Sequence, residues 1–221
     1  MGFISVRYAG GVRVLTVLEP ATRDEYLALV APATPAIEAA LSDCVVANRV
    51  ARSSTEPPAI RLRPWRVERR AFSRRMRALT SAAPTIALTD VRRCYASIAP
   101  STVARALADL GIGTAADIAA FLARLERAGG RGLPVGPEAS AVVANAVLAR
   151  TDDALSAAGI RHLRWVDDVV IAANDAGDAR RALGVLAAAV AELGLRLNAA
   201  KTRVVASPGP NVVGSQRTRR P

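Results

Sequence analysis

The sequence predicts an α+β fold, with an antiparallel β-sheet and helices packed on one of its faces. Two observations support this prediction. From Pro84 onward, short runs of branched apolar residues alternate with longer stretches of helical periodicity, in the order strand, helices, strand, strand, helix, strand. The two middle strands follow one another directly and are therefore expected to form a hairpin. This order is the split βαβ, or ferredoxin-like, arrangement, which leaves the second face of the sheet free.

The boundaries of the elements come from proline, glycine and capping residues. The first strand is PTIALTDV, and the last is TRVVAS. Proline favours the first turn of a helix, and glycine favours the residue after its end. The predicted helices run from Pro100 towards Gly111, from Thr114 to Gly129, from Pro137 to Gly159, and over 178–193 up to Gly194. Thr114 with Asp117 predicts a capping box at the start of the second of these helices.

The two ends of the chain differ from this central unit. Residues 1–83 are interrupted by six prolines and are predicted to be irregular and partly helical. Residues 208–221 are rich in Pro, Gly and Arg, and are predicted to form a disordered basic tail. The sequence therefore divides into 1–83, 84–207 and 208–221.

The charge of the chain indicates a polyanionic partner. Its 30 Lys+Arg against 19 Asp+Glu give a net charge of +11 and a pI near 11.2. Between Arg61 and Arg77 there are eight arginines and one acid, Glu68. Because arginine binds phosphate with a bidentate fork, and Trp65 and Phe72 lie among the arginines, this stretch favours a nucleic-acid-binding surface. The alternative is a solvated helix face.

Several function classes are disfavoured by the composition. No apolar run reaches the roughly 18 to 20 residues of a membrane span, and the charged N-terminus differs from a signal peptide. We therefore expect a cytoplasmic protein with no membrane partner. Cys44 and Cys94 are too few for a disulfide framework or a zinc cluster. The single histidine, His162, leaves little room for histidine-based metal or triad chemistry.

The stretch RWVDDVVIAA, residues 164–173, places two aspartates between runs of apolar residues. Asp is depleted in strands, so Asp167 and Asp168 mark either the tip of a tight hairpin or a site that holds a cation. Asp90 ends the first strand, which lies beside the hairpin in a split βαβ unit, so Asp90 and Asp167 are expected to meet. Clustered carboxylates repel each other unless cations neutralise them, and Mg²⁺ prefers oxygen ligands. Because neighbouring strand residues point to opposite faces, Asp167 is the expected primary ligand of a two-metal site.

Four segments, in order, carry a family resemblance. They are LTDVRRCYASI, RGLPVGPEASAVVANAVL, RWVDD and LGLRLNAAKT, within residues 86–206. They resemble the four palm motifs of reverse transcriptases, the RNA-directed DNA polymerases. The bacterial branch, with group II intron, retron and abortive-infection or defence-associated enzymes, looks most similar. The resemblance implies a polymerase palm over 84–207 and a mostly helical fingers region over 1–83.

The resemblance also implies roles for individual residues. Asp90, Asp167 and Asp168 match the aspartates that bind two Mg²⁺ ions, or Mn²⁺ in their place. Tyr95 matches the aromatic residue that excludes a ribonucleotide, and Lys201, the only lysine of the chain, matches a lysine expected to protonate the departing pyrophosphate. The implied nucleotide-binding residues are Gly132, Leu133, Pro134 and Gly136 of the second motif, and Arg61 and Arg63 of the fingers. The implied partners are an RNA template, a primer and deoxynucleoside triphosphates.

Departures from the family pattern leave alternatives open. Val135 stands where Gln is common, Ala141 where Pro is common, and Trp165 where Tyr is common. Only 14 residues follow Ser207, too few for the helical thumb that holds primer and template, so the thumb is expected to be missing. The chain is then a fragment, or a protein partner supplies a thumb-like surface, or polymerisation is weak.

The function predicted from these observations is a reverse transcriptase-like nucleotidyl transferase. It would add deoxynucleotides to a 3′-hydroxyl by two-metal catalysis, in phage defence or in a mobile element. The alternative is a catalytically weak or inactive, thumb-less remnant that still binds nucleic acid.

Overall fold

The N-terminal region contains a β-hairpin followed by helices. A computed structural model describes residues 2–8, 11–51 and 60–207 of the chain. The N-terminal elements are β1 (Gly2–Tyr8), β2 (Gly11–Val17), α1 (Pro20–Val30), α2 (Thr34–Ala40) and α3 (Trp65–Ser81). The prediction of an irregular region is wrong for the antiparallel β1–β2 pair, where GVRVLTV is rich in β-branched residues, which favour strands. The predicted disordered tail, residues 208–221, lies outside the described residues.

A four-stranded antiparallel sheet forms the second part of the fold. Its strands are β3 (Thr85–Asp90), β4 (His162–Trp165), β5 (Asp168–Ala173) and β6 (Arg203–Ala206). Their spatial order is β4-β5-β3-β6, and every neighbouring pair is antiparallel. The order confirms the predicted split βαβ arrangement, because β3 lies beside the hairpin strand β5.

The helices of this unit begin and end close to the predicted prolines and glycines. They are α4 (Cys94–Ser97), α5 (Pro100–Asp109), α6 (Ala115–Arg127), α7 (Glu138–Ala157) and α8 (Ala176–Glu192). Proline presets the backbone of a first helical turn, and glycine allows the chain to leave the last one. These signals act within a few residues of the chain, which is why they predicted the boundaries.

The predicted capping box at Thr114 does not form. The backbone of Thr114 has φ −84° and ψ 8°, whereas a capping residue needs an extended backbone to turn its side chain onto the helix. Its buried hydroxyl has no hydrogen-bond partner among the described residues. A reciprocal cap forms instead at α8, where Asp175 accepts from the Asp178 N–H at 2.7 Å and Asp178 accepts from the Asn174 N–H at 3.0 Å.

Both faces of the sheet are covered. On one face, Val169 and Ile171 of β5 join the main hydrophobic core with buried residues of α5 to α8. On the other face, α3 packs against β4 and β5. The buried residues of this second cluster are Val46, Phe72, Leu163 and Val170. The prediction of a free second face is wrong, because Phe72, Met76 and Leu79 form an apolar stripe at helical spacing on α3.

Helix α7 is buried around most of its circumference. Besides Ser140 and Thr151, it buries two polar residues with larger side chains, Asn145 and Asp152, at 2% exposure each. A buried polar group is tolerated when it is hydrogen-bonded, so both residues need partners in the interior.

Among the described residues, none of the helices has the length and apolarity that crossing a lipid bilayer requires.

Candidate active site at the β4–β5 turn

A two-residue turn, Val166-Asp167, joins β4 to β5, since Trp165 is the register partner of Asp168. Val166 has φ +57°, in the left-handed region that a β-branched residue rarely adopts. Two hydrogen bonds hold the turn. Arg164 Nη1 donates to the Val166 carbonyl at 2.9 Å, and the Val91 N–H donates to the Asp167 carbonyl at 3.1 Å. The turn is therefore attached both to β4 and to the end of β3.

Asp90, the last residue of β3, lies directly opposite Asp168 in the strand register. Register partners have their side chains on the same face of a sheet, so both carboxylates belong to one face. Asp90 is only 6% exposed, and its Oδ2 accepts a hydrogen bond from Lys201 Nζ at 2.7 Å. Its Oδ1 is buried and has no hydrogen-bond partner among the described residues. One oxygen of Asp90 is thus available as a ligand.

Asp167 belongs to the same electrostatic cluster. Burial of its carboxyl, together with the negative charges of Asp168 and Asp90, raises its pKa to about 6, and the charge of Lys201 opposes the shift. Three carboxylates beside one lysine leave an excess of negative charge, which a divalent cation would neutralise. The donors are hard oxygen atoms, and one of them is an orphaned buried oxygen, so these residues fit Mg²⁺.

Lys201 lies in the turn that precedes β6. The backbone holds this turn in place, because the Asn198 N–H donates to the Asp90 carbonyl and the Lys201 N–H donates to the Asn198 carbonyl, at 2.9 and 3.0 Å. The hydrogen bond to Asp90 raises the pKa of Lys201, with smaller contributions from the charges of Asp90, Asp168 and Asp167. Its ammonium group is thus the cation that faces the predicted catalytic aspartates.

Gly132 fixes the backbone around Tyr95. It has φ +58°, and a Cβ added to it would lie 2.2 Å from the Tyr95 carbonyl oxygen and 2.9 Å from the Ala96 carbonyl carbon. The Leu133 N–H donates to the same Tyr95 carbonyl at 2.9 Å. Glycine is required here both by the left-handed backbone and by the close approach of another chain segment. The half-buried Tyr95, whose hydroxyl has its pKa raised by burial, is thus positioned by the second motif.

The other second-motif residues divide into a buried and an exposed part. Leu133 is 1% exposed and packs in the main core, and Pro134 is also buried. Val135 and Gly136 are exposed. Of the second-motif residues predicted to contact a nucleotide, Leu133 and Pro134 are therefore buried beneath the turn, and Gly136 lies at the surface.

An arginine-lined groove of about 390 Å³ runs along α3. Its lining residues are Trp65, Arg66, Arg69, Arg70, Ser73, Arg74 and Arg77. The Arg69 guanidinium lies 5.5 Å from the Trp165 ring centroid, and Trp165 contacts Phe72 edge to face with a centroid distance of 5.2 Å. Arg69 thus connects the groove to Trp165, the residue that directly precedes the turn. We call this surface the α3 groove.

Arg61 and Arg63 lie outside the α3 groove. They belong to an extended segment that pairs with residues 49–51, through the bonds Ala51 N–H to Arg61 carbonyl and Arg63 N–H to Arg49 carbonyl, both 2.8 Å. The Arg61 side chain is exposed, and Arg63 forms an ion pair with Glu38 at 3.3 Å. Their predicted contact with a nucleotide triphosphate stays a prediction.

The sequence did not reveal a buried polar network beneath the turn. Arg164, 1% exposed, donates to both carboxylate oxygens of Asp152 at 2.7 to 3.0 Å and to Asn145 Oδ1 at 3.0 Å. Asn145 in turn donates to the carbonyls of Ala47 and Asn48. Burial opposes ionisation of Asp152, but the charge and hydrogen bonds of Arg164 and His162 lower its pKa overall. The spacing of seven residues between Asn145 and Asp152, which places them two helical turns apart on one face of α7, was the available signal.

Cys44, Asp152 and His162 form a second group of potential ligands. One donor atom from each lies within 4.8 Å of the others, and Asp152 and His162 are buried. The sequence left little room for histidine-based metal chemistry, and this group is the one arrangement among the described residues that brings the histidine together with a cysteine and an acid. Residues 44, 152 and 162 meet through tertiary packing, and no local spacing in the sequence indicates it.

The split βαβ sheet with this acidic turn defines a polymerase-type palm. A family model described as reverse transcriptase (RNA-dependent DNA polymerase) matches residues 34–217. The chain therefore belongs to the reverse transcriptase family. No curated protein sequence matches the chain.

Two solved structures have a similar fold. Telomerase from Candida albicans, in complex with a TWJ fragment of telomeric RNA, aligns with 99% of this chain and 42% of its own, at a TM-score of 0.59 and 12% identity. Apo telomerase from Candida tropicalis, truncated from its C-terminal domain, aligns with 94% of this chain and 50% of its own, at a TM-score of 0.52 and 14% identity. The chain thus spans half or less of these proteins, and at such identities the similarity concerns the fold alone.

Proposed function

We propose that this chain forms the fingers and palm of a reverse transcriptase that adds deoxynucleotides to a 3′-hydroxyl on an RNA template. One observation carries the proposal. In a chain of the reverse transcriptase family, Asp90, Asp167 and Asp168 gather at one end of the sheet, with Lys201 bonded to Asp90. In this proposal residues 1–83 are the fingers and residues 84–207 are the palm.

Asp90, Asp167 and Asp168 would hold divalent ions, Mg²⁺ in the first place. When bound, two such ions supply activation of the attacking hydroxyl and neutralisation of the triphosphate charge. The free buried oxygen of Asp90 and the raised pKa of Asp167 support this assignment, because both indicate a site built for more positive charge than Lys201 provides.

Tyr95 and Lys201 have distinct roles in the proposal. Tyr95 follows Asp90 by five residues, and Gly132 and Leu133 hold its backbone, so its ring limits the space beside the sugar of a nucleotide near Asp90. Lys201 donates a proton to the departing pyrophosphate. Its hydrogen bond to Asp90 keeps it protonated before the reaction, which is the state that a proton donor requires.

The α3 groove would bind the phosphates of template or primer. Arginine guanidinium groups bind phosphate oxygens, and one lining arginine, Arg69, lies against Trp165, the register partner of Asp168. A strand held in this groove would be guided towards the aspartates. The exposed Trp65, at one end of the groove, adds a ring on which a base can stack.

A thumb-like surface would come from a further segment or from a protein partner, since the similar telomerase structures are about twice as long as this chain. The biological role in the proposal is phage defence or a mobile element. The replacement of a polar Gln by the exposed, apolar Val135 beside the nucleotide site supports a defence-type enzyme.

The test is primer extension on an RNA template with Mg²⁺, using the parent chain and the Asp90→Asn variant. The parent should extend the primer, and the variant should not, because it loses an anionic ligand at unchanged size. The matched control is Asp24→Asn, an exposed carboxylate on α1, which should extend like the parent. Salt-dependent nucleic-acid binding by a parent that never extends a primer would instead support the inactive remnant.

A further inference from the structure

The group formed by Cys44, Asp152 and His162 joins three parts of the fold. Cys44 begins a short extended segment that pairs with β4, since the Arg164 N–H donates to the Cys44 carbonyl at 2.9 Å and the Val46 N–H donates to the Arg164 carbonyl at 3.1 Å. Asp152 projects from α7, and His162 is the first residue of β4. The three donor atoms lie within 4.8 Å of one another.

The tautomer of His162 follows from its surroundings. Its Nδ1 lies 3.0 Å from the Ile160 carbonyl oxygen, and a carbonyl can only accept, so Nδ1 carries the hydrogen. Nε2 lies 3.4 Å from Asp152 Oδ1, which is an ion-pair distance, and both side chains are 2% exposed. A histidine whose Nδ1–H is held by a backbone carbonyl has the supporting hydrogen bond of a metal ligand. Its Nε2, which forms an ion pair with Asp152 when the ring is protonated, becomes the ligand atom once that proton is released.

Arg164 prepares Asp152 for the same role. Asp152 Oδ2 accepts from Nε and Nη2 of Arg164, whereas Oδ1 accepts from Nε alone and faces His162. Oδ1 therefore keeps lone-pair capacity on the side of the imidazole. The ion pair leaves Asp152 and Arg164 with no net charge, so the thiolate of Cys44 would offset one of the two positive charges of a bound divalent cation.

We propose that Cys44, Asp152 and His162 bind one transition-metal ion of the Zn²⁺ class. Sulfur, imidazole nitrogen and a single carboxylate oxygen form a donor set that suits Zn²⁺ and not Mg²⁺. Binding replaces the thiol proton of Cys44 and the Nε2 proton of His162, both of which pass to solvent, and forms bonds to Sγ, Nε2 and Oδ1. Cys44 is half-buried, so an ion can reach the site from the surface.

The proposed ion would fasten the segment that begins at Cys44 to the palm. Asp152 anchors Arg164, and Arg164 donates to the carbonyl of Val166 in the turn that bears Asp167. The site is therefore a structural support beneath the candidate active site. It goes beyond the proposed function and does not depend on it.

The experiment is a Co²⁺ titration of the full chain after removal of metals with a chelator. The parent should bind one equivalent with the near-ultraviolet absorption of a thiolate–Co²⁺ bond, and Zn²⁺ should abolish this absorption while excess Mg²⁺ should not. Cys44→Ser and His162→Gln should lose the absorption. Cys94→Ala removes the other, fully buried thiol and should keep it. Asp90→Asn should also keep the thiolate–Co²⁺ absorption. The experiment therefore distinguishes a loss of the proposed polymerase site from a loss of the Cys44, Asp152 and His162 site.

A second measurement uses only the parent protein, because the variants could misfold. Alkylation of Cys44 by iodoacetamide, located by peptide mass, should slow by at least about tenfold when Zn²⁺ is added, since a metal-bound thiolate is less available for reaction. Absence of a thiolate–Co²⁺ absorption in the parent would overturn the proposal. Rapid alkylation that Zn²⁺ does not change would overturn it as well, and would identify a thiolate–imidazolium pair.

Discussion

Replacing Gly132 by alanine tests whether this glycine positions Tyr95. The matched control is Gly159→Ala at the end of α7. Both glycines are left-handed, with φ +58° and +69°. They differ in their surroundings, because a Cβ on Gly132 would lie 2.2 Å from the Tyr95 carbonyl oxygen, whereas a Cβ on Gly159 would have no heavy atom of another part of the chain within 4 Å. The pair therefore separates backbone strain from steric conflict.

The magnitude follows from these two contributions. A non-glycine residue in the left-handed region costs roughly 1–2 kcal/mol, and both variants carry this cost. Overpacking against a rigid neighbour adds roughly 1–3 kcal/mol, and here the neighbour is backbone, which cannot rotate away. Gly132→Ala should thus lower the free energy of unfolding by about 2–5 kcal/mol, and Gly159→Ala by only about 1–2 kcal/mol.

Urea unfolding followed by circular dichroism measures the difference, and an unchanged m value in each variant validates the comparison. Because the conflict moves the Tyr95 backbone, Gly132→Ala should also weaken discrimination between ribo- and deoxyribonucleotides in primer extension, whereas Gly159→Ala should not. Equal losses of stability in the two variants would refute the role assigned to the contact between Gly132 and Tyr95.

Four further predictions follow from the same structure. Replacing Arg66, Arg70 and Arg74 by alanine should make duplex binding less dependent on salt. In filter binding, the slope of log affinity against log salt concentration should decrease in magnitude by about 0.9 for each phosphate that an arginine no longer neutralises. An unchanged slope would show that the α3 groove is a solvated face. The carboxyl of Asp167 binds a proton more tightly in the folded chain than in the unfolded one. With a chelator present to remove metal ions, its contribution to the free energy of unfolding is therefore complete below about pH 4 and is lost as the pH rises through about 6. Asp167→Asn should therefore flatten the pH dependence of urea unfolding over this range, unlike Asp24→Asn, and a parent whose stability rises there would contradict the assignment. Tyr95→Ala should admit ribonucleotides while extension continues, and equal discrimination by variant and parent would make Tyr95 a packing residue. Lys201→Arg keeps the charge but removes the transferable proton, so single-turnover incorporation should slow by at least about tenfold with little change in nucleotide affinity; a variant as fast as the parent would exclude Lys201 as the proton donor.

Much of the palm could be predicted from the sequence because its signals are local. Pro100, Pro137 and the glycines after each helix set the helix boundaries within a few residues of themselves, and the apolar runs of β3 and β5 indicated the strands. The order of these elements then predicted the sheet, and the sheet placed Asp90 opposite the hairpin. The capping rule failed at Thr114. The backbone of this residue is not extended, so no cap forms, and the residue types alone do not reveal that conformation.

Only the tertiary structure decided which distant side chains share the interior. Gly132 lies against Tyr95, Arg164 joins Asp152 to the turn at Val166, and Cys44 meets His162 from the other end of the chain. The physical reason is that sequence periodicity indicates which face of an element is buried, but not which other element covers that face. Packing of α3 on the second face of the sheet is the largest instance, since its apolar stripe was visible in the sequence and its partner strand was not. The aspartates that define the candidate active site follow from topology alone, whereas the network that supports them exists only once the helices have packed.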